Sequence, residues 1–352
     1  MGLGLRRTHL RGPIALWALA LLAIFSVLWG LGQGAYALRL GDLPQWILQW
    51  QAYRTDGVAL SADALVFFNL RLPRLLLGMA AGAGLALAGA LMQGLFRNPL
   101  ADPGLVGVSS GAALAAGFTI VLGGYWWPDL PRALGSWTLV LAAFVGGVAV
   151  TFVVFMLSRS EGGARVGVML LAGIAINALA GAGIGLLGFL ATDEQLRNFQ
   201  FWMLGSLGGT RWEAVGLVGV LSAMGALWAL RLAHPLNALA LGEAQATLIG
   251  VNVERLKREV VIVTAICVGA VTATIGMVGF VGLVAPHLVR LLIGPDHRWV
   301  LPGSMLLGAA LVILADAVAR TAIQPAEMPL GILTALLGVP FFLILLRRNR
   351  PL

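Results

Sequence analysis

The chain has 352 residues, 59% of them hydrophobic and 11% charged, with a net charge of +8. Soluble domains carry roughly 25% charged residues, so the composition excludes an ordinary soluble protein and indicates a polytopic membrane protein. The positive balance does not point to nucleic acid, because the basic residues sit in short stretches between apolar runs, as the positive-inside effect requires.

The first 37 residues imitate a secretory signal, with Arg6, Arg7 and Arg11 ahead of an apolar core and Ala35-Tyr36-Ala37 behind it. That core, Ile14 to Leu31, is about 18 residues, longer than the usual 7–15, and is expected to be a retained first transmembrane helix. At roughly 20 apolar residues per span, ten spans are predicted, near 14–36, 63–93, 102–123, 134–157, 166–190, 211–230, 259–275, 279–293, 300–320 and 328–346. Each should be helical, since lipid offers backbone groups no partner. The second is long and tilted or kinked, with Pro73 near its start, and carries Gly78, Gly82, Gly84 and Gly89, small residues that let helices approach closely. Between the fifth and sixth spans, Thr192 to Leu204 reads as a short surface helix with Phe199, Phe201 and Trp202 as interfacial aromatics. Trp126 and Trp127 mark another interface. No long linker or low-complexity segment divides the chain, so one domain spanning 1–352 is expected.

Counting Lys and Arg in alternate loops leaves fifteen on the side of the N-terminus and eight on the other. The larger set belongs inside, which places both termini in the cytoplasm and fits an even number of spans. The polar stretch 231–259 then lies inside. Leu239, Leu241, Ala244 and Leu248 recur there at helical spacing, ahead of the basic cluster Arg255, Lys257 and Arg258, so a short amphipathic helix or helix pair is expected. A compact helical knob of this kind can take a push from a soluble motor; an amphipathic turn lying on the bilayer is the plainer alternative.

Four kinds of chemistry can be weighed. A P-loop needs Lys followed by Ser or Thr, but the single lysine, Lys257, is followed by Arg258, so any ATP-driven motor must be another subunit. Ion coupling needs ionisable groups inside the membrane; the main acidic exception is Asp316, four residues before Arg320 and read as a structural pair. Gly107-Val108-Ser109-Ser110-Gly111 matches a nucleophile elbow. That elbow needs a preceding strand, and the residues read better as the start of a helix, leaving a serine hydrolase using Ser109 as a remote alternative. His9, His234, His287 and His297 form no His-x-x-x-His pair and are read as loop or cap residues, so no metal or permanently bound cofactor is indicated. Cys267 lies alone in an apolar run, which rules out an intrachain disulfide. The outer arginines Arg71, Arg74 and Arg320 sit where guanidiniums face outward or anchor by snorkelling, and three facing outward would suit carboxylates of an external partner.

Several stretches carry a resemblance. Arg71-Leu-Pro-Arg74, Gly84 to Leu114, Leu170 to Leu179, Phe201 to Gly209, Leu236 to Val253, Gly279 to Arg298, Leu314 to Arg320 and Glu327 to Leu346 resemble, in order, the permease subunit of type II ABC importers for iron-siderophores, haem and vitamin B12, the FecCD-like family. The resemblance implies an all-α, ten-helix subunit of the bacterial inner membrane that pairs with a second copy of itself. It implies two cytoplasmic ATPase subunits that hydrolyse the ATP and a periplasmic substrate-binding protein on the outside. Carried onto this chain, ATPase coupling falls on Leu239, Leu241, Gly242, Glu243, Ala244, Leu248 and Gly250. Binding-protein docking falls on Arg71, Arg74 and Arg320, and the inner constriction on Asn98 and Leu100. ADPGLVGVSSGAAL, FWMLGSLGG and AHPLNALALGEA most resemble haem permeases within the family, with siderophore and cobalamin left open.

Overall fold

The computed structural model describes residues 12–348 except 35, 37, 128, 130–132, 161–162 and 325. The basic stretch with Arg6, Arg7 and Arg11, and also His9, Arg132 and Arg350, lies outside the described residues. Eight helices are long and apolar enough to cross a membrane, and two shorter apolar ones, Val281–Ile293 and another beginning at Leu330, bring the spans to the ten expected. In chain order the helices are α1 (Gly12–Gly32), α2 (Leu43–Asp56), α3 (Ala62–Phe96), α4 (Val108–Trp126), α5 (Trp137–Leu157) and α6 (Val166–Leu190). There follow α7 (Asp193–Leu204), α8 (Trp212–Leu239), α9 (Glu243–Leu248), α10 (Val253–Ile275), α11 (Val281–Ile293), α12 (His297–Thr321) and α13 (Leu330–Arg348). A two-stranded hairpin, Arg159–Ser160 with Gly163–Ala164, joins α5 to α6 on the inner side.

The bundle is built around α3, which packs against α12, α8, α11 and α10. In its most apolar stretch 78% is buried, against 17% for α6. Glycine sets the spacing at two crossings. A Cβ on Gly82 would run into the backbone of Gly308 on α12, and one on Gly89 into the backbone of Gly282 on α11. Without side chains there, the helices meet backbone to backbone, which is how apolar helices gain packing energy in lipid.

Several boundaries differ from the sequence expectation. The sixth span was expected to end near 230, yet α8 continues to Leu239 with Pro235 inside it. Its extra turns bury Leu232, Leu236 and Leu239, and that packing outweighs the bond that proline removes. The seventh was expected from 259, yet α10 starts at Val253, where the Asn252 side chain caps Arg255 N at 2.9 Å. The expected polar loop 231–259 therefore shrinks to the segment between Leu239 and Val253. The third span starts at Val108, not near 102, because Asp102 first caps a tight 3-10 turn over Pro103–Val106. Thr192 to Leu204 is a helix as expected, opened by a Thr192/Gln195 capping box. Phe199 in it is buried against Gly117 and is not an interfacial aromatic.

A helix on the outer side, α2, was not foreseen. Asp42 and Pro44 open it and Gly57, at φ 69°, closes it. Its Trp46 and Trp50 pack on Phe67 and Phe68 of α3 at centroid distances of 5.3 and 4.5 Å, covering the outer end of that helix.

Candidate functional site

On the inner side, the chain leaves α8 at Leu239, turns through Gly242 at φ 118°, forms α9 and turns again through Gly250 at φ 89°. Both turns need positive φ, which glycine adopts without a Cβ penalty. The four leucine and alanine positions expected on one helix are thus divided. Leu239 is buried at the end of α8, while Leu241, Ala244 and Leu248 are exposed around α9. Leu248 is 86% exposed and Ile249 64%, so the knob presents bare apolar side chains on the inner face. Gly250 is exposed too, and Gly242 and Glu243 are half-buried.

The knob is held from behind by Lys257 of α10. Its side chain is 5% exposed and pairs with Glu243 at 2.7 Å. The same ammonium donates to the Ala164 carbonyl at 2.6 Å. Ala164 N in turn donates to Glu254 at 2.7 Å. One cation thereby joins α9, α10 and the α5–α6 hairpin. A buried charge demands such partners, since an unpaired one costs several kcal/mol.

Close by, Asn237 near the end of α8 donates to Asp296 at 2.7 Å, and Arg298 pairs with the same carboxylate at 2.6 Å. Arg298 beside it holds the Asp296 carboxyl well below the usual carboxylate range. His297, the first residue of α12, is buried with Nδ1 2.8 Å from Asn237 Oδ1, and the cap is Asp296, whose side chain accepts from Arg298 N. His287 is different: it was expected at a loop or helix end, but it is buried within α11.

Asn98 and Leu100 follow the left-handed C-cap Arg97 of α3. Leu100 N donates to Asn98 Oδ1 at 2.9 Å, a local turn with Asn98 exposed and Leu100 half-buried. This segment runs into Asp102, which borders a cavity of about 280 Å³ that also touches Ser110, Asn177 and the non-helical stretch Met277–Phe280. Non-helical backbone at membrane depth is tolerated where it is enclosed by protein or lines a cavity. Ser110 donates to Asn177 Oδ1 at 2.5 Å, and Asn177 donates to the Gly104 carbonyl at 3.1 Å. Sequence reasoning passed over Asp102, Ser110 and Asn177. An asparagine inside the apolar run Leu170 to Leu179 was the available signal. No strand precedes the Gly107–Gly111 motif; Gly107, at φ 83°, opens α4, so the elbow geometry is missing. Among the described residues no cluster of three His, Cys, Asp or Glu could hold a metal.

On the outer side the three arginines turn inward. Arg71 donates to the carbonyls of Leu31 and Tyr36. Arg320 donates to those of Gln33 at 3.0 Å and Gly30 at 3.2 Å. Between them they satisfy the open carbonyls of Gly30 and Leu31 in the last turn of α1 and those of Gln33 and Tyr36 just beyond it, and both are buried. Arg74 bridges Asp316 at 2.8 Å and Glu327 at 2.9 Å. Arg320 also meets Asp316, at 3.1 Å, the structural pair read from the sequence. Of the two alternatives read from the sequence, outward-facing or anchoring, the structure does not show three guanidiniums facing outward: nearby carbonyls and carboxylates claim them.

Ten apolar helices with a short helical knob at one end of the bundle are the architecture of a polytopic membrane protein. The chain belongs to the FecCD transport family, whose model matches residues 21–348. It is the permease subunit of an ABC importer, a multi-pass protein of the bacterial inner membrane, with ATPase activity residing in separate subunits. It is 47% identical to the hemin transport system permease HmuU of Yersinia pestis, over 85% of this chain and 89% of that one. It is 41% identical to the cobalamin import permease BtuC of Halobacterium salinarum, over 83% of this chain and 75% of that one. The vitamin B12 permease BtuC of Salmonella arizonae shares 36% over 98% and 97% of the two chains. Among solved structures, an ABC transporter assigned to the metal-chelate type, in an inward-facing conformation, superposes with a TM-score of 0.81 at 32% identity, covering 96% of this chain and 99% of that one.

Proposed function

We propose that the chain is one of two identical subunits around a central haem pathway, driven by cytoplasmic ATPase subunits and loaded by a periplasmic binding protein. The observation that carries the drive is the α9 knob, whose exposed Leu241, Leu248 and Ile249 stand on a Lys257–Glu243 support. Bare apolar side chains on a polar inner face fit a groove on a soluble partner. Leu239, Gly242, Glu243, Ala244 and Gly250 shape and hold that knob. Asn98 and Leu100 form the inner constriction of the pathway. Docking of the binding protein falls on the rim shaped by Arg71, Arg74 and Arg320. There Arg74 and Glu327, with side chains 14% and 46% exposed, can exchange their mutual contact for one with an incoming carboxylate or cation.

Pairing of two copies is supported by α6, the least buried of the eight long spans, with Leu171, Ile174, Leu179 and Phe189 bare. Haem as cargo is supported by the 47% identity to the Yersinia pestis hemin permease. The test is uptake into proteoliposomes holding the permease, its ATPase subunits and its binding protein, offered labelled haem, a ferric siderophore and cobalamin in parallel. ATP-dependent accumulation of haem above the other two is expected. Preference for cobalamin or the siderophore would replace the cargo, and uptake without ATPase subunits would remove the mechanism.

A further inference from the structure

A groove of about 760 Å³ runs between α5, α8 and α10 on the side of the bundle. Its walls include Phe144 and Phe152 of α5 and Ile262 and Ile266 of α10. Phe152 is 61% exposed and Ile262 37%, so the groove opens sideways toward lipid. Thr151, the hydroxyl in the lining, donates back to its own helix at Gly147 O, 2.9 Å away, and offers a ligand no free donor.

The inner end of this groove is basic. Arg159 follows the last turn of α5, and Arg258 lies in the second turn of α10; both line the groove. Neither charge is used up within the chain. Arg159 meets Glu254 at 3.9 Å, with its side chain 54% exposed. Arg258 is exposed, with Glu259 as an electrostatic neighbour but no hydrogen bond or ion pair to it among the described residues. From Arg159 to Phe144 the helix rises about 22 Å at 1.5 Å per residue. Half of the roughly 30 Å hydrocarbon core is about 15 Å, so the groove matches one leaflet plus its headgroup layer.

We propose that this groove is a binding site for an anionic phospholipid of the inner leaflet, with an acyl chain along Phe144, Phe152, Ile262 and Ile266 and the phosphate between Arg159 and Arg258. Guanidinium forks match phosphate oxygens in a way that ammonium groups do not. Basic pockets between spans on the cytoplasmic side are where anionic headgroups bind. A zwitterionic lipid places its own ammonium beside the two guanidiniums and is disfavoured.

The test uses the full chain in nanodiscs of equimolar phosphatidylglycerol and phosphatidylcholine, extracted gently and read by native mass spectrometry. Wild-type protein is expected to retain phosphatidylglycerol selectively. The Arg159→Gln/Arg258→Gln pair should lower that retention roughly thirtyfold, as expected from losing two near-surface cations. Ile262→Trp, which fills the groove and leaves both arginines, should lower it as well. Thermal unfolding in phosphatidylcholine alone separates these effects from misfolding, since all variants should match wild type there. Equal retention of the two lipids by wild type, or full retention by either variant, overturns the site. So does displacement of the lipid by inorganic phosphate alone, which would make the arginines a free-anion site. Cross-linking of Ile262→Cys between two copies, with no lipid retained, would make the groove a protein interface and also overturn it.

Discussion

Lys257 shows how much one side chain can hold in this molecule. It is the chain's single lysine, it is buried, and it joins α9, α10 and the inner hairpin. Lys257→Met should destabilise the protein by about 1–2 kcal/mol, below the 3–5 typical of a fully buried pair because Glu243 can rehydrate. A double-mutant cycle with Glu243→Gln, read by thermal unfolding in detergent, should return a coupling of about 1 kcal/mol. Additive effects would mean that the two groups do not interact. Arg71→Ala leaves the Leu31 and Tyr36 carbonyls without their donor, and a loss of about 1–3 kcal/mol is expected. Faster hydrogen exchange confined to the last turn of α1 would locate that loss. The charge pattern picked out Arg71, Arg74 and Arg320 but misjudged where they point. Arg71 and Arg320 reach backbone carbonyls of Gly30, Leu31, Gln33 and Tyr36, which leave no mark in a sequence.

At the scale of elements, apolar run length predicted the existence of every span and the bounds of α6 to the residue. It failed at α8 and α10, where the first or last turns are amphipathic and only one face is buried. Hydropathy averages over both faces, whereas the cap at Asn252 and the packing of Leu236 and Leu256 decide where the helix ends. The unforeseen α2 had legible marks in Asp42, Pro44 and Gly57, but its polar composition hid it among loop residues. Glycine-rich runs announced close packing without saying which glycines touch. Gly82→Val places a side chain inside the Gly308 backbone and should cost well over 3 kcal/mol, seen as loss of monodisperse protein. Gly167→Ala, in α6 where nothing stands within 4 Å, should be neutral or gain up to about 1 kcal/mol of helix propensity. Equal tolerance at both positions would contradict the crossing.

For the whole molecule, the proposed pairing of copies through α6 gives a direct expectation. Leu179 is 68% exposed at mid-span, and Leu179→Cys should cross-link two chains in membranes with a short bifunctional reagent. Native Cys267 is fully buried and will stay silent. A dimer that forms without this cross-link would move the interface to another face. The cavity at Asp102, Ser110 and Asn177 belongs to this scale too, because it exists only where the stretch before α4 meets the break before α11. Its residues lie far apart in the chain, so no local motif could assemble it.

The first span is more than an anchor. Two guanidiniums carried by α3 and α12 depend on the exposed carbonyls at its outer end. A chain shortened to begin after α1 would take those acceptors away, leaving Arg320 with Asp316 but without Gly30, and Arg71 without its Leu31 partner. Trimming at the front of this polypeptide should therefore ruin residues hundreds of positions downstream, and a designer seeking a minimal version would do better to start elsewhere.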